Sequence, residues 1–273
     1  MKKNCFLTIT ILLGVTFSLN AQKIEIKELL KRTDESLNTI NTIVYKVDYF
    51  TKYLAKNDTI QSTVICSLYR MPKDKMKSYH KINLESEYEN GDKYFGQRIY
   101  NGEKALYYNR AVDSLTANET PEIYSEKKMK YAVVENYNNF LLKQYLDKNN
   151  SLEAYGTNLV KALLKDINVT EENLHETPVY VVNIFHKDRK DTTRDHVEKH
   201  YIRKTDFLPI AYHSFLRWEN MEQYNYYEIE YLSINTEVSP DNFKIEENQQ
   251  LNAIELYKNF QNQLKNINDT IIN

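Results

Sequence analysis

The chain has 273 residues, a formal net charge of −2 at pH 7 and 23 tyrosines, but only five glycines and five prolines. This charge leaves no basic surplus to drive binding to nucleic acid or to anionic lipid headgroups. So few glycines and prolines also disfavour a glycine-rich phosphate loop and proline-rich linkers. Tyrosine, with an apolar ring and one polar tip, suits half-buried strands and surfaces that contact apolar ligands.

Residues 1–21 have the pattern of a secretory signal peptide. Lys2 and Lys3 form a basic start, a mostly apolar run follows, and Ala21 offers a cleavage point. The apolar run is too short and too polar for a good membrane span, so we expect the cleaved chain not to span the membrane. Cys66 is then the only cysteine, which excludes an internal disulfide. It lies in an apolar-leaning strand and is predicted to be a core residue rather than a nucleophile.

The first half of the chain predicts one helix followed by a meander of strands. Apolar residues at helical spacing predict a helix over 24–37. The period then changes to two, which predicts strands over 43–53, 59–71 and 76–87. Within residues 94–109, Asn101-Gly102 separates two aromatic-rich strands and predicts a hairpin with a type I′ turn. Short turns between successive strands are typical of an antiparallel meander.

The second half predicts a helical insertion and then a second meander. Residues 110–128 are predicted to form a loop, and two helices are predicted over 131–147 and 151–165. Further strands are predicted over the ranges 179–185, 197–203, 208–216 and 223–234. A last helix is predicted over 249–264, with a frayed tail over 266–273.

Four short motifs and the order of the elements resemble a known family. The second strand ends in Leu68-Tyr69-Arg70-Met71-Pro72, and the hairpin continues from Ile99-Tyr100-Asn101-Gly102-Glu103-Lys104 into an aromatic strand that ends at Asn109. Weaker parallels are Lys204-Thr205-Asp206-Phe207-Leu208-Pro209 and Pro240-Asp241-Asn242-Phe243-Lys244. Together with the order helix, meander, helical insertion and meander, they resemble the LolA/LolB-like superfamily of periplasmic lipoprotein carriers.

This resemblance implies an α+β fold, a single-domain antiparallel open half-barrel of about 9–11 strands with helices covering its concave face. The implied domain spans 22–248, followed by a C-terminal helix and tail over 249–273. Acyl chains would lie inside the half-barrel, and Arg70 matches the family's arginine that helps to hold the helical lid closed. The other candidate ligand contacts are apolar positions of the strands and of the inserted helix: Tyr45, Val47, Tyr49, Leu68, Met76, Leu106, Tyr108 and Phe140.

The functional hypothesis is therefore a soluble, non-enzymatic periplasmic carrier for a hydrophobic ligand or for lipoprotein acyl chains, with no cofactor. The alternative is a cell-envelope interaction or sensor module that binds a protein partner and whose barrel is filled by side chains. An enzyme is disfavoured, because the sequence has no Gly-x-Ser-x-Gly motif and its serines and histidines show no recognisable catalytic spacing.

His196-Val197-Glu198-Lys199-His200 is the most site-like cluster in the sequence. On a strand, residues 196, 198 and 200 share one side, so imidazole and carboxylate groups could meet a divalent metal. However, no fourth ligand is evident, and the neighbouring Arg194 and Asp195 favour an exposed hairpin surface. The sequence therefore predicts no metal site.

Overall fold

The computed structural model describes residues 24–54, 58–73, 78–125, 164–187, 194–236 and 238–271. Within these residues lie two α-helices, α1 (Ile26–Asn38) and α2 (Ala253–Ile271). The strands are β1 (Thr42–Lys52), β2 (Thr59–Arg70), β3 (Ser78–Tyr88), β4 (Lys93–Tyr100), β5 (Lys104–Ala111), β6 (Glu122–Ser125), β7 (Leu164–Leu174), β8 (Thr177–His186), β9 (Arg194–Arg203), β10 (Pro209–Trp218) and β11 (Met221–Ile234). The predicted signal peptide, the predicted helix over 131–147 and residues 151–163 of the next lie outside the described residues.

The described strands form one antiparallel sheet in the order β6-β5-β4-β3-β2-β1-β11-β10-β9-β8-β7. Strands β1 to β6 form one meander and strands β7 to β11 form the other. The two meanders join where β1 pairs with β11, with Ile43 opposite Ile234. Because β6 and β7 are the two end strands, this 11-stranded sheet is not closed. The structure thus confirms the predicted single, open antiparallel sheet.

The sequence prediction misses β6 and β7. Residues 110–128 are predicted to be a loop, but Glu122–Ser125 pairs with β5, with Ile123 opposite Leu106. Leu164 and Lys165 are predicted to end a helix, whereas they begin β7, which pairs along β8. Most residues of β7 are polar, so its sequence carries little strand periodicity. Its conformation follows from pairing with the apolar strand β8, which local propensity does not reveal.

The hairpin between β4 and β5 forms as predicted, but its turn is not of type I′. That turn needs positive φ at both central residues, and here Gly102 has φ +92° while Asn101 does not have a positive φ. Instead, Asn101 Oδ1 accepts hydrogen bonds from the backbone N–H groups of Glu103 (3.0 Å) and Lys104 (2.8 Å). The asparagine side chain therefore closes a three-residue loop from within.

Replacing Gly102 by alanine is expected to destabilise the fold by about 1–3 kcal/mol. The residue would keep a positive φ, and its new Cβ would lie 2.8 Å from Tyr79 Cε1. Gly91→Ala is the matched control, because Gly91 has φ +85° but no atom within 4 Å of the added Cβ. Urea denaturation should show the larger loss for Gly102→Ala, and an equal loss in both variants would contradict a role for the Tyr79 contact.

The two helices pack on opposite sides of the sheet. Successive strand residues point to opposite sides, and β2 shows the division: Cys66 shares a core cluster with Leu29 of α1, whereas Ile65 shares one with Phe260 of α2. We call these the α1 side and the α2 side.

Helix α2 extends beyond its predicted end. It runs through Ile271, so the predicted stop at 264 and the frayed tail from 266 are wrong. Leu264 and Ile267 pack against the α2-side cluster, which gives the additional turns an apolar contact. Neither α1 nor α2 combines the length and the apolar character that a membrane-crossing helix needs.

Cys66 is buried, as the sequence predicts, at 2% exposure. Burial raises the pKa of its thiol from 9.0 to about 12, although a hydrogen bond with Tyr45 acts in the opposite direction. Between these two values the unfolded chain loses the thiol proton while the folded chain keeps it. The free energy of unfolding should therefore fall as pH rises, with this one group contributing about 1.4 kcal/mol per pH unit.

Cys66→Ala removes this contribution. Its unfolding free energy, measured by urea denaturation between pH 9 and pH 11, should therefore depend less steeply on pH than that of the parent chain. Equal slopes would contradict a thiol that stays protonated in the fold. Tyr45 and Tyr231 also have raised pKa values because of burial, so part of the alkaline destabilisation remains in the variant.

Candidate functional site

Helix α1 lies against apolar residues from both meanders. Its buried side chains are Leu29, Leu30, Thr33 and Leu37. The buried sheet and loop residues of this α1-side cluster are Ile40, Ile43, Tyr45, Val47, Val64, Cys66, Leu68, Ile82, Leu84, Val169, Val182, Ile184, Ile202, Leu208, Tyr227 and Ile229. Full burial of one such apolar side chain is worth about 1.5–3 kcal/mol. Apolar contact is therefore the main force that holds α1 on the sheet.

The predicted ligand contacts divide between the two sides of the sheet. Tyr45, Val47 and Leu68 are buried in the α1-side cluster, and Tyr49 packs against it. Leu106 and Tyr108 belong instead to the α2-side cluster, together with Phe260 of α2. The structure therefore does not bring these six residues together on one surface. Met76 and Phe140 lie outside the described residues.

Arg70, at the end of β2, binds the C-terminal end of α1. One guanidinium nitrogen donates to the backbone carbonyl of Leu37 at 2.5 Å, and the other donates to the carbonyl of Asn38 at 3.3 Å. The last carbonyls of a helix have no partner within the helix and carry partial negative charge. Because α1 has no basic residue in its own last turn, Arg70 supplies the cation from the sheet.

Asn235 also binds this end of α1 and was missed by sequence reasoning. Its side-chain amide donates to the carbonyl of Thr39 at 2.9 Å, and its Oδ1 accepts from the backbone N–H of Asn41 at 2.7 Å. The residue has φ +54°, a conformation that asparagine tolerates better than most residues. Its position directly after a predicted strand was the available signal. Arg70 and Asn235 thus form a polar latch on the C-terminal end of α1.

The histidine–glutamate cluster on β9 lies on the α1 side and is not an exposed surface. Glu198 is 8% exposed and His200 is 2% exposed, which contradicts the expected exposed hairpin. His186 on β8, which sequence reasoning did not include, places Nε2 2.8 Å from Glu198 Oε1. His196 Nε2 lies 3.5 Å from the same oxygen, and His200 Nε2 lies 3.7 Å from Oε2.

These histidines also set the charge state of the carboxyl group. Burial alone raises the pKa of Glu198, but the hydrogen bond with His186 and the nearby charges of His200 and His186 outweigh it and hold the pKa well below its ordinary range. The carboxylate is therefore ionised in the fold. His186 and His196 stack on each other with ring centroids 4.0 Å apart and an interplanar angle of 13°.

A separate groove of about 520 Å³ lies near the seam between β1 and β11 and is lined by residues of β1, β2, β3 and β11. Its lining mixes the aromatic residues Tyr49, Phe50 and Tyr226 with four acidic ones: Asp48, Glu85, Glu87 and Glu228. His175 beside it makes a 2.9 Å contact with Glu228 Oε1. Burying carboxylates against an acyl chain would cost free energy, so this groove is a poor surface for an apolar ligand.

Comparison with known proteins gives structural similarity at low sequence identity. No protein-family model matches the sequence, and no curated protein matches it. A DUF1329 family protein from Desulfovibrio piger is 15% identical and aligns over 81% of this chain and 97% of its own, with a TM-score of 0.34. MucB is 11% identical and aligns over 82% of this chain and 64% of its own, with a TM-score of 0.36. A LolA superfamily protein from Nitrosomonas europaea is 11% identical and aligns over 81% and 98%, with a TM-score of 0.25. The last of these proteins carries the name of the superfamily that the sequence motifs resemble.

Proposed function

We propose that the protein is a periplasmic carrier for a hydrophobic ligand with acyl chains, and that the α1 side of the sheet is its binding surface. One observation carries this proposal. The α1-side cluster is a continuous apolar surface built from both meanders, and it is covered by a helix whose C-terminal end is held by the polar latch of Arg70 and Asn235.

When the ligand binds, its acyl chain would replace helix α1 as the apolar partner of the sheet. An acyl chain on the α1 side would replace the contacts of Leu29, Leu30 and Leu37, at about 25 cal/mol for each Å² of apolar surface removed from water. The cost is the loss of those helix contacts and of the latch. Most of the free energy gained and most of the free energy lost come from apolar contacts. Binding would therefore be reversible without a covalent step, and a partner with a competing apolar surface would release the ligand.

Only some of the predicted ligand contacts lie on the proposed binding surface. Tyr45, Val47, Tyr49 and Leu68 would contact the acyl chain, and Met76 and Phe140 remain candidates outside the described residues. Leu106 and Tyr108 are not part of this surface, because they pack under α2 on the opposite side. Arg70 would act on the helix and not on the ligand.

Arg70→Gln is expected to loosen α1 and to raise the affinity for an acyl probe severalfold. The variant loses two charge-assisted hydrogen bonds to carbonyls, worth about 1–2 kcal/mol for a half-buried arginine. Fluorescent fatty acid titration measures the affinity, and hydrogen exchange measures faster opening of α1. Arg217→Gln is the matched control, because Arg217 pairs with Glu222 at the β10–β11 turn, away from α1. Lower probe affinity in Arg70→Gln alone would indicate that the arginine contacts the ligand instead.

Native mass spectrometry after gentle purification tests the carrier function itself. A co-purifying lipid, or saturable uptake of a fatty acid probe that competes with α1 docking, is the expected result. The absence of both would reject the carrier proposal.

The second candidate function is a cell-envelope interaction or sensor module. The observation that favours it is the filled α1 side, where Leu29 and Val47 are both 0% exposed. If α1 never leaves the sheet, a stable protein partner should be recovered by pull-down from the cell envelope, and acyl probes should not bind.

A further inference from the structure

Four side chains lie close together on the α1 side of the sheet: His186 on β8, and His196, Glu198 and His200 on β9. Glu198 lies opposite Ile184, and His200 lies opposite Val182. Residues that lie opposite each other on paired strands point to the same side of the sheet. Ile184 and Val182 are both fully buried in the α1-side cluster. The imidazole and carboxylate groups therefore lie at the boundary of an apolar core, where their mutual interaction is weakly screened by water.

The donor atoms of three of these side chains meet within a small space. One ring nitrogen of His186, one ring nitrogen of His196 and one carboxylate oxygen of Glu198 all lie within 4.8 Å of one another. Both imidazole nitrogens face the same oxygen, Oε1, at 2.8 Å and 3.5 Å. Metal–ligand bonds of about 2.0–2.1 Å in tetrahedral geometry place neighbouring ligand atoms about 3.3 Å apart. The separations of 2.8 Å and 3.5 Å are close to that value. The two imidazole rings would turn out of their stacked arrangement so that both nitrogens point at one ion.

We propose that His186, His196 and Glu198 form a binding site for a divalent transition-metal ion of the zinc type. Imidazole nitrogen with carboxylate oxygen is a donor set that zinc accepts. Three protein ligands leave a fourth coordination position for water or another small ligand.

Exposure of the ligands is consistent with exchange of the ion. The side chains of His186 and His196 retain 18% and 21% exposure, while Glu198 retains 10%. The ion can therefore enter from solvent, but the bound site is largely shielded.

His200 is a positioning residue in this site. Its Nε2 faces Oε2 of Glu198 at 3.7 Å, on the oxygen that the proposed ion does not use. Its ring packs against Tyr212 on β10, with ring centroids 4.8 Å apart, which fixes its orientation. Groups that orient a ligating carboxylate typically change metal affinity by about 10–100-fold.

The test is titration of the chelator-treated, purified protein with Zn²⁺ by calorimetry and with Co²⁺ by visible absorption. We expect one ion per chain at this site, with an affinity loss of about tenfold in His200→Gln and a larger loss in His186→Gln and in Glu198→Gln. His213→Gln is the matched control, because His213 lies on the other side of β10, where its ring packs against Tyr226 at 5.8 Å. Its affinity should equal that of the parent chain. Equal affinities in all variants, or no saturable binding, would overturn the proposal.

A second measurement uses the unaltered chain and so does not depend on the folding of variants. Diethyl pyrocarbonate modifies accessible histidines, and peptide mapping reports each position. Zn²⁺ should protect His186 and His196 and leave His175 and His213 reactive. Protection of His175 alone would place the ion at the His175–Glu228 pair and would overturn the proposed site.

Discussion

Phe260→Ala is expected to lower the free energy of unfolding by about 3–5 kcal/mol, the range for truncating a buried aromatic side chain. Phe260 is 1% exposed and sits in the α2-side cluster. Its ring lies 5.7 Å from that of Phe95 on β4, centroid to centroid. Truncation leaves a cavity between helix and sheet that neighbouring side chains fill only in part. Urea denaturation followed by circular dichroism measures the loss.

Ile254→Ala is the control for Phe260→Ala, because Ile254 lies on the same helix but is 53% exposed. Its effect should stay within about 0.5–1 kcal/mol. Hydrogen exchange adds a local measurement: α2 amides should exchange faster in Phe260→Ala than in the control. Similar losses in the two variants would mean that α2 is not held on the sheet by its buried face. The hydrogen bonds of Tyr257 and Gln261 to Glu85, at 2.5 Å and 2.8 Å, would then be the main attachment.

Leu29→Ala is expected to cost about 2–5 kcal/mol of stability and, at the same time, to increase uptake of an acyl probe. Leu29 is 0% exposed at the centre of the contact between α1 and the sheet. The substitution removes apolar volume from the α1 side, and an acyl chain can fill that volume. An apolar ligand bound there should restore part of the lost stability by mass action.

Lys31→Ala is the control for Leu29→Ala on the same helix. Its side chain is 67% exposed, and its 3.8 Å pair with Glu35 is a surface contact that adds little stability. Both unfolding free energy and probe affinity should be unchanged. If Leu29→Ala loses stability without any gain in probe binding, the α1 side is a closed core, and the interaction-module function is favoured.

Periodicity predicted most of the fold because most strands have one apolar side. The alternation of β1, with Tyr45 and Val47 buried and Lys46 between them, is visible in the sequence. Strand β7 has no such pattern, and its pairing with β8 depends on residues distant in the chain. The turn type at Asn101-Gly102 was mispredicted because the asparagine side chain, not the backbone alone, closes the loop.

The candidate sites were less predictable than the fold. Arg70 was identified through a resemblance, but its partners, the last carbonyls of α1, depend on how the helix docks. His186 is 10 residues before His196, and only the β8–β9 pairing brings their rings into contact. The sequence also did not reveal which side of the sheet each apolar residue faces. Leu106 and Leu68 occur in similar strand patterns, yet they lie on opposite sides of the sheet.

The seam between β1 and β11 has a consequence for the order in which the chain folds. Ile43 pairs with Ile234, so the central pairing of the sheet joins segments near the two ends of the chain. Contacts of such long sequence separation form slowly, because the loop between them must lose its conformational entropy first. Helix α1 contacts Val47 from one meander and Ile229 from the other, so its final environment exists only after β11 has been made. Helix α1, which precedes all the described strands in the chain, is therefore among the last of the described elements to be buried.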